Sequence, residues 1–206
     1  MDTQTTLYFI RHGQTQSNIK HIRQGVQIDD YLDTQGIMQI ETITPIIEAL
    51  NLDVLYTSYL HRAEESAAII NGNLKKPIPI FHDFRLRERD FGSLTGHEQA
   101  YWDEQLPNNR ELEEMQTYDY RPFGGESVDQ VRQRGFTAII DIATNHENQN
   151  VGIITHNGII RLLLFHFPEM PRIYRGIETK KDIANTDIYE FVVSASKLQN
   201  LRSLLK

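Results

Sequence analysis

Short apolar runs alternate with amphipathic stretches along this chain, and the alternation predicts its elements. Residues 7–10, 54–57, 78–81, 151–155 and 188–193 are runs rich in β-branched and aromatic side chains, the composition of buried strands. Between them the apolar spacing turns helical. After Ser127, the residues Val128, Val131, Gly135, Ala138, Ile139 and Ile142 share one face, and Ser127 with Gln130 forms a capping box at the start. A second helix follows Ser58, turns Leu60, Ala63, Ala67 and Ile70 inward and is expected to stop at Asn71-Gly72. A third begins near Gly158 and carries Ile159, Ile160, Leu162, Leu163 and Leu164. Strands alternating with helices predict an α/β fold, a three-layer α/β/α sandwich around a mostly parallel central sheet. No repeat, low-complexity tract or linker divides residues 1–206, which read as one domain.

Residues 97–123 depart from this rhythm. They hold five of the chain's 19 aromatic residues, where an even spread would place about 2.5. That enrichment reads in two ways. It fits a small cap over a site, with Tyr and Trp rings lining the entrance and setting substrate choice. It equally fits an ordinary surface segment anchored by its aromatics.

Composition narrows the class. With 21 basic and 28 acidic residues the formal charge is −7, which argues against a nucleic-acid binder but leaves room for a small anion held by a local arginine cluster. The chain has no cysteine, so disulfides, thiolate metal sites and a Cys nucleophile are excluded. The polar start, Met-Asp-Thr-Gln-Thr-Thr, followed by four apolar residues, predicts neither a signal peptide nor a membrane span, and so a cytoplasmic protein. A homodimer is one assembly state left open.

Two predicted strands end in a histidine. Arg11-His12-Gly13-Gln14-Thr15 follows residues 7–10, and His156-Asn157-Gly158 follows residues 151–155. Open α/β sheets build their sites at the carboxyl ends of strands. A His placed there is accessible, and its imidazole is largely neutral and nucleophilic near neutral pH. Gly13 is expected to let the backbone approach a ligand closely. The helix beginning near Gly158 offers free N–H groups to an anion. A third junction, Tyr56-Thr57-Ser58, puts Arg62 in or just beyond the first turn of its helix. Alone, Arg62 reads as a solvated helix residue. Together with Arg11, His12 and His156 it suggests a phosphate site, since a guanidinium matches phosphate bidentately. The other six histidines form no His-x-His or His-Glu-x-x-His pattern, so no metal site is expected, and His61 and His82 read as packing residues beside the motifs.

These motifs resemble, in order, the blocks of the histidine phosphatase superfamily, the phosphoglycerate mutase-like proteins. Arg11-His12-Gly13-Gln14-Thr15 with Asn18 is similar to its signature, and Gln24-Gly25 to the turn that completes the phosphate pocket. The stretch from Tyr56 to Ala63 resembles the segment with the second phosphate-binding Arg. Leu86-Arg87-Glu88-Arg89-Asp90-Phe91-Gly92, closed by Gly96, resembles the proton-donor segment. Gly124-Gly125-Glu126-Ser127 and Ile154-Thr155-His156-Asn157-Gly158 resemble the last two blocks. Thr95 stands where many members carry an acidic residue and Asn157 where many have Gly.

The resemblance implies roles. His12 is the nucleophile that becomes a phosphohistidine. Arg11, Arg62 and His156 hold the transferring phosphoryl oxygens, with Asn18 and the backbone N–H of Asn157 as further donors and Gln24 and Gly25 completing the pocket. Glu88, which alone would read as part of a solvated cluster with Arg87 and Arg89, protonates the leaving oxygen and then activates water. Two guanidiniums and an imidazolium can carry the charge of a loose phosphoryl-transfer state, so neither metal nor cofactor is required. The implied function is metal-independent hydrolysis of small phosphorylated metabolites, with a phosphoglycerate mutase as the alternative. Between residues 97 and 123 seven acidic residues face only Arg110 and Arg121, a net −5 that predicts a poor clamp for a substrate carboxylate and so favours the phosphatase. A non-catalytic phospho-ligand binder is the second alternative, disfavoured because no charged site residue is missing.

Overall fold

The computed structural model describes residues 4–176 and 183–206. Six strands, β1 (Thr5–Arg11), β2 (Val54–Thr57), β3 (Ile80–His82), β4 (Asn150–Thr155), β5 (Arg172–Tyr174) and β6 (Ile188–Val193), form one sheet in the order β3-β2-β4-β1-β6-β5. The first four run parallel, β6 is antiparallel to β1, and β5 is antiparallel to β6. Side chains alternate across the sheet. Leu7, Phe9, Val151 and Ile153 join one core with α6 (Val128–Asn145), α7 (Asn157–His166) and α8 (Ala195–Ser203). Tyr8, Ile10, Leu55 and Ile154 join a second core with α2 (Thr34–Ala49) and α3 (His61–Asn73). The result is the expected three-layer α/β/α sandwich. Among the described residues no helix is long and apolar enough to cross a membrane.

Local chemistry moves some boundaries. β3 begins at Ile80 rather than residue 78 because Pro77 and Pro79 have no N–H to give a ladder; Pro79 contributes only its carbonyl, to Leu55 N. α3 runs through Gly72 to Asn73, without a left-handed glycine cap. The Asn71 amide closes that end instead, accepting from Ile78 N at 2.8 Å and donating to Ile78 O at 3.1 Å. The 16-residue α2, absent from the pattern above, is capped by Asp33 onto Gly36 N and buries Ile40, Ile43 and Ile47. Its Pro45 lies on the exposed side, where a freed carbonyl can meet water. The capping box of Ser127 and Gln130 at the start of α6 is present.

Residues 97–123 contain α4 (Gln99–Gln105) and α5 (Asn109–Glu114). Trp102, Tyr118 and Tyr120 are at most 1% exposed. They pack on Phe91, with Phe91–Trp102 and Trp102–Tyr120 edge to face at 5.1 and 5.7 Å. The expectation that these rings line an entrance is therefore overturned. Their large apolar area is worth more inside the core, and they anchor the segment there. What the segment turns toward the open space beside it is polar: Gln99, Arg110 and Glu113.

Candidate active site

Strand register brings the two histidines together. Arg11 pairs with Thr155 across β1 and β4, so the next residue of each strand, His12 and His156, emerge side by side with ring centroids 5.1 Å apart. Both rings are buried. His12 Nδ1 lies 2.7 Å from the Gly13 carbonyl, an acceptor only, so Nδ1 carries the proton and Nε2 keeps its lone pair. Burial and the nearby guanidiniums of Arg62 and Arg11 hold the His12 imidazole well below its ordinary titration range. The side chain is thus a neutral nucleophile in a cationic setting.

Around it stand donors fixed from behind. Arg62, 1% exposed, spends Nη1 on Ile28 O at 3.0 Å and Nη2 on Gly25 O at 2.8 Å, while its Nε has no partner. Burial lowers its pKa to about 10, so it remains charged at neutral pH. Gly25 offers that carbonyl from a backbone at φ +54°, a conformation that favours glycine. Arg11 Nη1 donates to Ile183 O at 2.7 Å. Asn18 Oδ1 accepts from Thr15 N and Asn185 Nδ2, leaving its NH₂ for a ligand. Gln24 is buried with its amide on Thr15 Oγ1 at 2.7 Å, and Asn157 opens α7. All of these but His156 line one cavity of roughly 630 Å³, a volume suited to a small metabolite.

His156 departs from the expected imidazolium. Neither ring nitrogen has a partner, and burial, with Arg62 and His12 close by, pushes its pKa well below the ordinary value. In the empty site it is neutral. An anion beside it reverses that balance, so sulfate, which does not titrate near neutrality, should bind with proton uptake. Calorimetry at pH 7 in buffers of different ionisation enthalpy should give different apparent heats; identical heats would mean that His156 and His12 do not change protonation.

Glu88 reaches the same cavity from the loop after β3. Its Oε1 accepts from Arg89 N at 2.9 Å and from Gly158 N at 3.1 Å, against the first turn of α7. It is not a solvated charge cluster: Arg87 pairs with Glu126 at 2.8 Å and Arg89 is buried. The loop is braced by Arg134, whose guanidinium donates to the carbonyls of Arg85, Arg87 and Glu88 and pairs with Glu126. That is the part played here by the Gly124-Gly125-Glu126-Ser127 block. A Cβ at Gly158 would land on Glu88 Oε1 and Arg89 Nε. Gly158→Ala should therefore displace Glu88 and lower kcat/KM by about 10²-fold, the cost of a misplacement near 1 Å, with a small change in Tm. A kcat/KM within threefold of wild type would deny Glu88 this position-critical role.

Other features were not legible in the motifs. Residues 183–187 brace the nucleophile: Asn185 Nδ2 donates to His12 O at 2.9 Å, Asp187 O accepts from Arg11 N, and the buried Asp187 carboxylate takes Gly176 N and Ala184 N. Gly13 serves a different purpose from the expected one, since a Cβ there would meet Gly36 O of α2 at 2.7 Å; the close approach is to a helix, not a ligand. His61 pairs with Asp29 and stacks on Tyr31, and His82 lies by Glu64, both away from the cavity. The far wall of the cavity is also more cationic than the −5 of residues 97–123 suggests. Arg23, Arg89, Arg110 and Arg161 line it with Glu88 and Glu113; only Arg110 and Glu113 belong to residues 97–123, so most of the cations come from outside that segment.

The chain belongs to the histidine phosphatase superfamily (branch 1), whose family model matches residues 7–201. Among similar proteins is a 2,3-bisphosphoglycerate-dependent phosphoglycerate mutase of Cytophaga hutchinsonii, 27% identical over 88% of this chain and 82% of that one. A metal-independent phosphoserine phosphatase of Arabidopsis thaliana is 32% identical over 77% of this chain and 67% of its own. The solved structure of Bacillus stearothermophilus YhfR superposes with a TM-score of 0.76 at 28% identity, covering 93% and 95% of the two chains.

Proposed function

We propose that this chain is a metal-independent phosphatase that hydrolyses small phosphorylated metabolites through a phosphohistidine on His12. One observation carries the reading: the His12 ring, with its Nε2 lone pair free, is buried 5.1 Å from the His156 ring, and Arg62 Nε and both His156 ring nitrogens have no partner. Buried polar groups are rarely left unmade, and a phosphoryl group supplies an acceptor for Arg62 Nε and for a protonated His156 nitrogen. In the first step Nε2 forms a bond to phosphorus as the ester P–O bond breaks, and Glu88 gives its proton to the departing alcohol oxygen. In the second, Glu88 takes a proton from water, the water oxygen bonds to phosphorus, and the His12–phosphorus bond breaks to release phosphate. Arg11, Arg62, His156, Asn18 and the Asn157 N–H hold the three equatorial oxygens, with Gln24 and Gly25 shaping the corner. The guanidiniums stand where a metallophosphatase has ions, and among the described residues no three His, Asp or Glu converge to hold one. The phosphoserine phosphatase named metal-independent is a relative in keeping with this.

A second reading, mutase action, is favoured by the arginines of the far wall, which can hold a carboxylate, and by the Cytophaga relative. One assay separates the two. Incubation with 3-phosphoglycerate after dialysis against EDTA, following free phosphate and 2-phosphoglycerate together, should give phosphate as the main product. Fast isomerisation with little phosphate would install the mutase, and turnover restored only by Mg²⁺ or Zn²⁺ would overturn metal independence.

A further inference from the structure

The chain enters β6 through a left-handed turn at residues 184–187. Asp187 N donates to Ala184 O at 3.2 Å, and Thr186, third in the turn, has φ +66°. Turns of this kind give that position to Gly or Asn, and a β-branched residue there is strained. Thr186 N donates to Arg11 O and Arg11 N donates to Asp187 O, both at 3.1 Å, so two residues face one at the end of the β1–β6 ladder. Bulges of this kind re-aim a side chain. The Asp187 carboxylate holds the turn shut, accepting from Gly176 N at 2.7 Å, Ala184 N at 3.0 Å and the Tyr189 hydroxyl at 3.1 Å. The side chain that the turn aims is Asn185, which is buried.

Asn185 Nδ2 donates to His12 O at 2.9 Å and to Asn18 Oδ1 at 3.2 Å, while its own Oδ1 has no hydrogen-bond partner among the described residues. A buried amide that uses only its NH₂ is placed for donation. Asn18 Oδ1 also accepts from Thr15 N at 3.2 Å. Two donors on that oxygen leave the Asn18 amide one orientation, with its NH₂ free to meet an anion in the cavity that Asn18 lines. Turned over, the same amide would present its oxygen to the anion. We infer that Asn185 is a positioning residue for the phosphoryl corner: it fixes the polarity of the Asn18 amide and the main chain of His12, and the strained turn at Thr186 serves to deliver it there. The inference rests on the reading that the phosphoryl group sits against His12 and Asn18. Asn185 acts through its two acceptors and not by contact with substrate.

The test is a double-mutant cycle read by calorimetry with orthovanadate, a phosphate analogue, at neutral pH. Asn185→Asp keeps the shape and exchanges donors for acceptors, so Asn18 can bond to it only by turning its NH₂ away from the cavity. The Kd for orthovanadate should rise by about 10- to 100-fold, the range over which a hydrogen bond to a charged group acts. Asn185→Ala removes the donors without adding charge and should raise it several-fold; it carries the cycle alone if the buried carboxylate prevents folding. In an Asn18→Ala background the loss from Asn185→Ala should shrink to within about twofold, and Asn185→Asp should retain only the part due to its charge. A merely structural role would give equal fold losses in the two backgrounds, and that result would overturn the inference. In ¹⁵N spectra the Asn18 side-chain NH₂ pair, identified by its loss in Asn18→Ala, should shift when orthovanadate is added to wild type and stay in place in Asn185→Asp. Equal shifts in both would count against the inference in the same way. Phosphate release without coupling would remove this role and keep the phosphatase, whereas coupling without phosphate release would keep the role and remove the phosphatase.

Discussion

Glu88→Gln is expected to slow phosphate release from an alkyl phosphate by about 10²–10⁴-fold, the contribution of a positioned general acid, with the fold intact. Gln keeps an acceptor oxygen for Arg89 N and Gly158 N, so the contacts to the first turn of α7 survive. The brace from Arg134 is to backbone carbonyls and to Glu126, and does not depend on the Glu88 side chain. What disappears is proton transfer in both directions. An alkoxide leaves poorly without a proton, whereas an aryl oxide needs little, so an aryl phosphate should lose much less in the first step. Hydrolysis of the phosphohistidine then becomes limiting for the aryl substrate, and phosphorylated His12 should accumulate. Intact-mass measurement on mixing with aryl phosphate would reveal it. Equal losses for alkyl and aryl substrates, with no trapped intermediate, would reduce Glu88 to a positioning group.

The corner around His12 was legible because each of its parts follows a strand. A parallel sheet sends the carboxyl ends of β1, β2 and β4 to one edge, so Arg11, His12, Arg62 and His156 had to lie near one another once those strands were recognised. The far wall was not legible. Arg23 and Glu113 are 90 positions apart and meet only because Trp102 and Tyr120 sink into the core and turn α5 inward. Summing charge over residues 97–123 misjudged that wall, since the segment turns only Arg110 and Glu113 of its charged residues to the cavity, and Arg23, Arg89 and Arg161 reach it from elsewhere in the chain. Three of the five aromatic residues counted there, Trp102, Tyr118 and Tyr120, serve as anchors in the core, while the segment's polar side chains face the cavity. Gly13 shows a further limit: a glycine beside a catalytic residue signals close approach, and sequence does not say to what.

The largest loss is expected at His12. His12→Gln removes the proposed nucleophile and should reduce turnover of every phosphomonoester by on the order of 10⁴–10⁶-fold, the scale on which loss of a covalent nucleophile acts. The Gln amide is close in reach to Nε2 but has no basic lone pair to bond phosphorus. Binding should be retained, because Arg62 is held by Ile28 O and Gly25 O, Arg11 by Ile183 O and Asn18 by Thr15 and Asn185, none of which involves the His12 ring. The pH profile carries the same logic. Activity requires His12 unprotonated, and burial beside Arg62 and Arg11 depresses its pKa, so the acid limb of kcat/KM should fall below the ordinary imidazole value of about 6.5. The stability of the empty protein has the same sign. The unfolded chain binds protons at His12 and His156 before the folded one does, so stability should decline as pH falls below about 6.5, by up to about 1.4 kcal/mol per pH unit for each histidine. In His12→Gln one of those sites is gone, and the slope should be smaller. Turnover within tenfold of wild type in that variant would mean that water attacks phosphorus directly, and the phosphohistidine route would have to be abandoned.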